Sequence, residues 1–374
     1  MSNKPRVAII GDFPIGRIYS PYTEILSGGA RWLYTLYELL STVEEYEFHW
    51  IIIDKSINKE ETIIKGNQYF HLTHGSGLKV GLYTGYFYNR WKAAKIIKRI
   101  APDIVHAWGT ERFYGLIAKD FKGHSLLSIQ GILTAIKQRA QLSPFEKKQA
   151  LYEGATIKNV EYISTESEWA QERIKEIAPD SNVILWDYAI ESDFFNTART
   201  PSNSPCCLLA GTNTPVKNVQ LAVSAFSRPE LQHVTLYLAG VPANAHTKWP
   251  ANIKPLGYVS REEIRRLLSE TWLLVHPSLA DSCPNIVKEA RVMGVPAVVT
   301  IDCGAKQYIE NGLSGFVIPS NDENALINSI LHVTKSIEVS MKMGSYNQME
   351  CRNALSQKNM LGKILEIYKL ITAS

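Results

Sequence analysis

Asp281 and Glu289 flank a segment whose residue types suit a phosphorylated ligand, Pro277-Ser-Leu-Ala-Asp-Ser-Cys-Pro-Asn-Ile-Val-Lys-Glu-Ala-Arg-Val-Met-Gly-Val-Pro296. Pro284 is a residue type favoured in the first turn of a helix. Ile286, Val287, Ala290 and Met293 recur at helical spacing. A helix is therefore expected to begin near Pro284, with Asp281 in the loop before it and Glu289 more than a turn along it. Unpaired backbone N–H groups at a helix start attract anions. Ser282, Cys283, Pro284 and Asn285 are thus expected to form a cradle for a pyrophosphate, with a carboxylate on either side to accept sugar and ribose hydroxyls. The plainer alternative is a cap at Asp281 and a solvated helix residue at Glu289.

Ser27-Gly28-Gly29-Ala30 offers a second anion site, because consecutive glycines before a helix let backbone N–H groups approach a phosphate. A tight turn is the simpler reading of Gly28 and Gly29. The segment is not G-x-G-x-x-G, so a nicotinamide cofactor gains no support. His106 closes the apolar run Ile104-Val-His-Ala107 and is expected to face a cleft, unless it is a core residue. H-E-x-x-H, the Walker loop and zinc-type cysteine spacing are all missing from the sequence, so neither metalloenzyme nor ATPase chemistry is expected. The five cysteines (206, 207, 283, 303 and 351) fit reduced thiols, and Cys283 reads as a small spacer in the phosphate loop.

For these residues to act together, their loops must meet. Short apolar runs at 7–10, 50–53, 104–107, 126–129 and 162–164 read as buried parallel strands. Helix-period segments at 30–43, 89–100, 112–121 and 167–178 alternate with them. The pattern resumes with strands near 206–210, 234–239, 272–275 and 297–299 and helices near 217–227, 261–269 and 285–293. Such alternation argues for doubly wound α/β sheets. The chain of 374 residues is long enough for two domains, at about 150 residues each. The polar stretch Asn196-Thr-Ala-Arg-Thr-Pro-Ser-Asn-Ser-Pro205 marks their boundary. The expectation is an α/β protein with Rossmann-like domains at 1–195 and 200–355, facing each other across a cleft. Ligands of open α/β sheets sit beyond the carboxyl ends of the strands.

At this point the sequence resembles a family. Asp281-x7-Glu289, followed by Gly-Val-Pro and a strand, is similar to the E-x7-E signature of retaining GT-B glycosyltransferases of family 4, also called group 1, with Asp in place of the first Glu. Gly211-Thr-Asn-Thr-Pro-Val-Lys217-Asn resembles the family's glycine–arginine–(four residues)–lysine segment. Leu256-Gly-Tyr-Val-Ser260 resembles the loop near the nucleotide base, and Glu310-Asn-Gly-Leu-Ser-Gly-Phe-Val317 its closing turn and strand. Gly28-Gly29, Pro102-Asp-Ile-Val-His106 and Thr165-Glu-Ser-Glu-Trp169 keep the family order in the first half.

The resemblance implies a GT-B fold and transfer of a sugar from a UDP- or GDP-linked donor to a sugar or glycolipid hydroxyl, with retention of configuration and without a metal. Glu289 would hold the ribose, Asp281 the transferred sugar and Lys217 the departing diphosphate. Tyr258 would lie near the base. Thr212 stands where the family has arginine, so Thr212 or Asn213 would offer a hydrogen bond in place of charge. Gln130 stands where a histidine is usual. A final helix at 358–373 would return to the first domain. A GT-B nucleotide-sugar epimerase and a non-catalytic sugar-nucleotide binding subunit are the alternative readings.

Between Thr62 and Pro102 acidic residues are missing, while Lys65, Lys79, Arg90, Lys92, Lys95, Lys98 and Arg99 fall inside, next to Tyr83-Thr-Gly-Tyr-Phe-Tyr-Asn-Arg-Trp. Cations beside aromatic anchors suit an acidic membrane surface or a lipid-phosphate acceptor, with 79–99 as the contact and Arg90 and Lys92 on the acceptor side. The plainer reading is a solvated helix whose Trp91, Ala94, Ile97 and Ile100 face the core. A formal charge of +4 argues for no nucleic-acid partner. The N-terminal apolar run is too short for a signal peptide, and no long apolar span occurs. A cytoplasmic protein, at most associated with the cytoplasmic face of a membrane, is expected.

Overall fold

The computed structural model describes residues 4–23, 26, 30–245 and 248–373. The apolar runs form two mostly parallel sheets. The first contains β1 (Arg6–Ile10), β2 (Glu47–Asp54), β3 (Glu61–Lys65), β4 (Gln68–His74), β5 (Ile104–Trp108), β6 (His124–Ser128), β7 (Tyr162–Thr165) and β8 (Asn182–Leu185), in the spatial order β3-β4-β2-β1-β5-β6-β7-β8. Only β3 is antiparallel, joined to β4 by a two-residue turn in which Gly66 has φ +62°. The second sheet contains β9 (Cys206–Ala210), β10 (Thr235–Ala239), β11 (Ile253–Gly257), β12 (Leu273–His276), β13 (Ala297–Thr300) and β14 (Gly315–Ile318), in the order β11-β10-β9-β12-β13-β14. Strand order turns back between β1 and β5 in one sheet and between β9 and β12 in the other. Those two switch points are where an open α/β sheet leaves a crevice for ligands. The architecture is the GT-B arrangement of two Rossmann-like domains.

Side-chain alternation gives each sheet two covered faces. In β1 and β5, Ala8, Ile10, Val105 and Ala107 pack against Ala93, Ile96, Ile97 and Ile100 of the helix Phe87–Ile100. Val7, Ile9 and Ile104 point the other way and are covered by Met360, Ile364, Ile367 and Tyr368 of the helix Gln357–Ala373. The chain thus ends on the sheet with which it began. Trp91 does not join the core face of its helix. It is exposed, and the helix buries Asn89, Ala93, Ile96, Ile97 and Ile100 instead.

The two domains touch through specific polar contacts. Lys288, fully buried, pairs with Glu166 in the loop after β7. Ser167 Oγ donates to the Ser282 carbonyl, and Gln307 Nε2 donates to the Glu166 carbonyl at 2.9 Å. Arg139 reaches Asp302 at 3.1 Å. Gly304 sits under the Ser282–Ser167 contact, where a Cβ would lie 1.6 Å from the Ser282 carbonyl oxygen. Any other residue there would push the domains apart or move the loop that carries Asp281.

Candidate active site

The loops that leave β9 and β12 converge at the second switch point. After β9 the chain makes a short 3-10 turn, Pro215–Lys217, and Asn218 adopts φ 52° before the helix Val219–Phe226 begins. That turn carries Lys217 toward the loop after β12, where its ammonium pairs with Asp281 Oδ2. The same oxygen accepts from His276 Nε2 at 2.9 Å. The Asp281 backbone is fixed too, since its N–H donates to the Asp302 carbonyl at 3.2 Å and its carbonyl accepts from Gly304 at 2.8 Å. Burial by itself would raise the Asp281 pKa, but Lys217 and His276 together outweigh it and hold the carboxyl at about 2. Burial pushes His276 below the usual histidine range, with Asp281 opposing. At neutral pH this is a neutral imidazole donating to a carboxylate.

The helix Asn285–Met293 is buried from Val287 onward, so Glu289 is enclosed rather than solvated. Pro284 stands just outside its first turn, at the N-cap position. Glu289 Oε1 accepts from Arg261 Nη2 at 2.7 Å, while Oε2 is buried and has no hydrogen-bond partner among the described residues. Burial raises the Glu289 pKa, and Arg261 limits the rise. Arg261 also reaches Glu191 at 3.2 Å and lies over the Phe194 ring, 4.7 Å from its centroid. Glu191 in turn lies 3.5 Å from Arg31 of the first domain. A cavity of about 210 Å³ opens here, walled by Arg31, Trp32, Glu191, Arg261, Asn285 and Glu289. A buried carboxylate oxygen without a partner is costly unless a ligand hydroxyl meets it.

The other expected site residues divide by position. Thr212, Asn213 and Tyr258 are exposed on the loops after β9 and β11. Ser282 and Cys283 are buried, and burial pushes the Cys283 thiol well above its ordinary range, as a spacer requires. Gly28 and Gly29 lie outside the described residues. Gln130 donates to Tyr188 Oη at 3.2 Å and faces a cavity at the first sheet's switch point.

One expectation needs correction. His106 does not face the cleft. The alternation of β5 points it to the face covered by the last helix, where it is fully buried between Tyr368 Oη (2.8 Å) and Ser128 Oγ (2.7 Å). Burial lowers its pKa to about 3, so it is a neutral core residue. Arg90 and Lys92, expected on the acceptor side, each have a carboxylate partner. Arg90 donates to Asp120 at 2.6 Å, and Lys92 pairs with Glu60 beside a separate groove against β3 and β4.

His276 and Arg261 were not singled out from sequence. A histidine at the carboxyl end of a strand, five residues before the loop carboxylate, was a usable signal for the first. For Arg261, which follows the Ser260 cap, only the fold shows that it meets Glu289.

Residues 204–336 match the family model of Glycosyl transferases group 1. The amylovoran biosynthesis glycosyltransferase AmsK of Erwinia amylovora is 30% identical over 89 residues, 22% of this chain and 22% of that protein. The UDP-Gal:alpha-D-GlcNAc-diphosphoundecaprenol alpha-1,3-galactosyltransferase of Escherichia coli is 30% identical over 95 residues, 25% of this chain and 23% of that protein. These matches cover less than a quarter of either relative's length. Across its whole length the chain superposes on sucrose-phosphate synthase from Thermosynechococcus elongatus with a TM-score of 0.80 and 14% identity, covering 99% of this chain and 100% of that one. The chain therefore has the GT-B fold, and the stretch that matches the glycosyl transferases group 1 model contains Lys217, Arg261, Asp281 and Glu289.

Proposed function

We propose that this protein is a glycosyltransferase that moves a sugar from a nucleoside-diphosphate sugar to a hydroxyl acceptor, with retention of configuration, in the assembly of a polysaccharide or glycolipid. The observation that carries the proposal is Glu289, a buried carboxylate with one oxygen held by Arg261 and the other without a partner among the described residues. The loop that precedes its helix carries Asp281 of the Lys217–Asp281–His276 cluster. Bond cleavage leaves negative charge on the diphosphate. Lys217 supplies the countercharge from a partly covered position, where a fixed cation stabilises more than in water, and a divalent metal is not required. Asp281, kept ionised, faces the sugar as it gains positive character. The relatives' names support the setting: one acts in amylovoran biosynthesis and one uses UDP-Gal with a diphosphoundecaprenol-linked acceptor.

Peripheral contact with a membrane is part of the same proposal. Val80, Tyr83, Phe87 and Trp91 are exposed along the helices Leu78–Tyr83 and Phe87–Ile100, with Lys95 Nζ 3.7 Å from the Trp91 ring centroid. No helix among the described residues is long and apolar enough to cross a membrane.

Incubation with a panel of nucleotide sugars, with and without EDTA, tests the reaction. Slow release of the nucleoside diphosphate that survives chelation is expected. Isomerisation of the sugar without release, or full dependence on an added divalent metal, would contradict the assignment.

A further inference from the structure

Lys288 immediately precedes Glu289 on the helix Asn285–Met293, and its side chain is fully buried. A lysine is almost never enclosed in this way unless its charge is paired. Here the partner belongs to the other domain: Glu166, itself buried, in the loop after β7. The pair also grips the segment that joins the domains. Trp186 and Tyr188 belong to the core of the first domain, and Ile190 and Phe194 to that of the second, so the chain crosses over between Tyr188 and Ile190.

At that crossing the Tyr188 N–H donates to Glu166 Oε1 at 3.1 Å, and Lys288 Nζ lies 3.5 Å from the Tyr188 carbonyl oxygen. The peptide groups on both sides of Tyr188 are therefore tied to one ion pair. Its hydroxyl accepts from Gln130 Nε2 of the first domain at 3.2 Å. Asp187, a second carboxylate near Lys288, is engaged by Tyr308 Oη of the second domain. Further along the crossing segment, Glu191 meets Arg31 and Arg261, and Arg261 holds Glu289. The buried pair and the donor carboxylate are thus joined twice, through the helix and through the connector.

We infer that the Glu166–Lys288 pair fixes the angle between the domains, and that Lys288 is a positioning residue which sets Glu289 against the first domain's wall of Arg31 and Trp32 before a nucleotide sugar arrives. A buried ion pair need not stabilise more than apolar side chains of the same volume, but stranding one of its charges is costly. A small rotation of one domain would part the ammonium from the carboxylate without letting water reach either. That penalty selects one arrangement, whereas an apolar contact is non-directional and tolerates sliding. The two domains should then keep the same angle whether the nucleotide is bound or absent. The geometric claim stands by itself, and its consequence for turnover rests on the transferase reading.

The test reads the angle directly. The five cysteines are buried, so spin labels attach selectively at Glu45→Cys and Glu230→Cys, exposed positions before β2 and β10 at the outer ends of the two sheets. Pulsed EPR on this labelled parent is expected to give one narrow distance that UDP or GDP leaves unchanged. Lys288→Met should broaden it or add a second population. Glu166→Gln combined with Lys288→Met removes both charges at similar volume, so its unfolding midpoint should stay near the parent's while the distance stays broad. Under turnover that double variant should lose about tenfold or more in kcat with donor KM within about threefold, because misaligned domains cost the transfer step more than donor binding. A narrow, parent-like distance in either folded variant overturns the inference, as does a parent distance that shifts with nucleotide or a full kcat in a variant whose distance has broadened. Failure of the transferase reading looks different: distances change as stated while no nucleotide sugar is consumed.

Discussion

Arg261 holds Glu289 by one oxygen, with a 2.7 Å hydrogen bond to Oε1, and leaves Oε2 buried and unpaired among the described residues. Glu191 and Lys288 also face this carboxylate, one opposing and one favouring its ionised form. Burial raises the Glu289 pKa, and Arg261 is the strongest influence favouring its ionised form.

Removal of that cation should therefore show up in binding and in its pH dependence. Arg261→Met is expected to weaken the bare nucleoside diphosphate about tenfold at pH 7, with affinity recovering as pH rises and Glu289 ionises. Arg261→Lys should retain most of the affinity. In a Glu289→Gln background the Met substitution should add little, because both changes act through one contact. Calorimetric titration of the four variants across pH checks this, and fully additive losses would show that Arg261 acts elsewhere.

His106 gives a stability prediction. Its folded pKa of about 3 lies below the ordinary 6.5. The unfolded chain therefore binds the proton first as pH falls. The stability from keeping this imidazole neutral is complete above pH 6.5 and declines between 6.5 and 3, by up to about 1.4 kcal/mol per pH unit. Urea unfolding at pH 5 and 7.5 should show a smaller pH difference in His106→Gln than in the parent. Tyr368→Phe, which keeps the histidine, should preserve the slope. An unchanged slope in His106→Gln would mean that other groups carry the acid sensitivity.

The exposed aromatics Tyr83 and Phe87 set the terms for the membrane. Binding to vesicles should require anionic lipid and weaken with added salt, since exposed charges are screened. Tyr83→Ser with Phe87→Ser should reduce it at least tenfold without changing the unfolding midpoint. Lys92→Glu should matter less than Lys95→Glu, because Lys92 is already paired with Glu60. Co-sedimentation reads all of these, and equal binding to neutral vesicles would remove the electrostatic part of the proposal.

What sequence made legible was local. The apolar period of 285–293 foretold the buried helix, and the loop before it was a sound place for Asp281. Strand and helix alternation foretold two doubly wound sheets. The partners of those residues were not legible, because they come from other loops. Arg261 meets Glu289 and Lys217 meets Asp281 only after β9, β11 and β12 are laid side by side. His106 was misplaced for the same reason: its neighbour Tyr368 is 262 residues away, and a strand residue's face cannot be known until the helix that covers it is placed. The β3 edge was hidden by its short, charged run Glu61–Lys65, which lacks the apolar signature of a buried strand.

The division of labour between the two carboxylates is the central claim, and titration of the bare nucleoside diphosphate tests it most directly. Glu289→Gln removes a charged acceptor from ribose, a part of the donor that does not change during transfer, so binding should weaken about ten- to a hundredfold, for a contact of roughly 1.5–3 kcal/mol. Asp281→Asn takes the anionic partner away from Lys217 and frees the ammonium for the diphosphate. Bare-nucleotide affinity should then stay level or rise a few-fold, while turnover of the nucleotide sugar falls at least a hundredfold. Unfolding midpoints within a few degrees of the parent confirm that both variants are folded. If Asp281→Asn weakens the bare nucleotide as much as Glu289→Gln does, Asp281 is a nucleotide ligand and the sugar lies elsewhere.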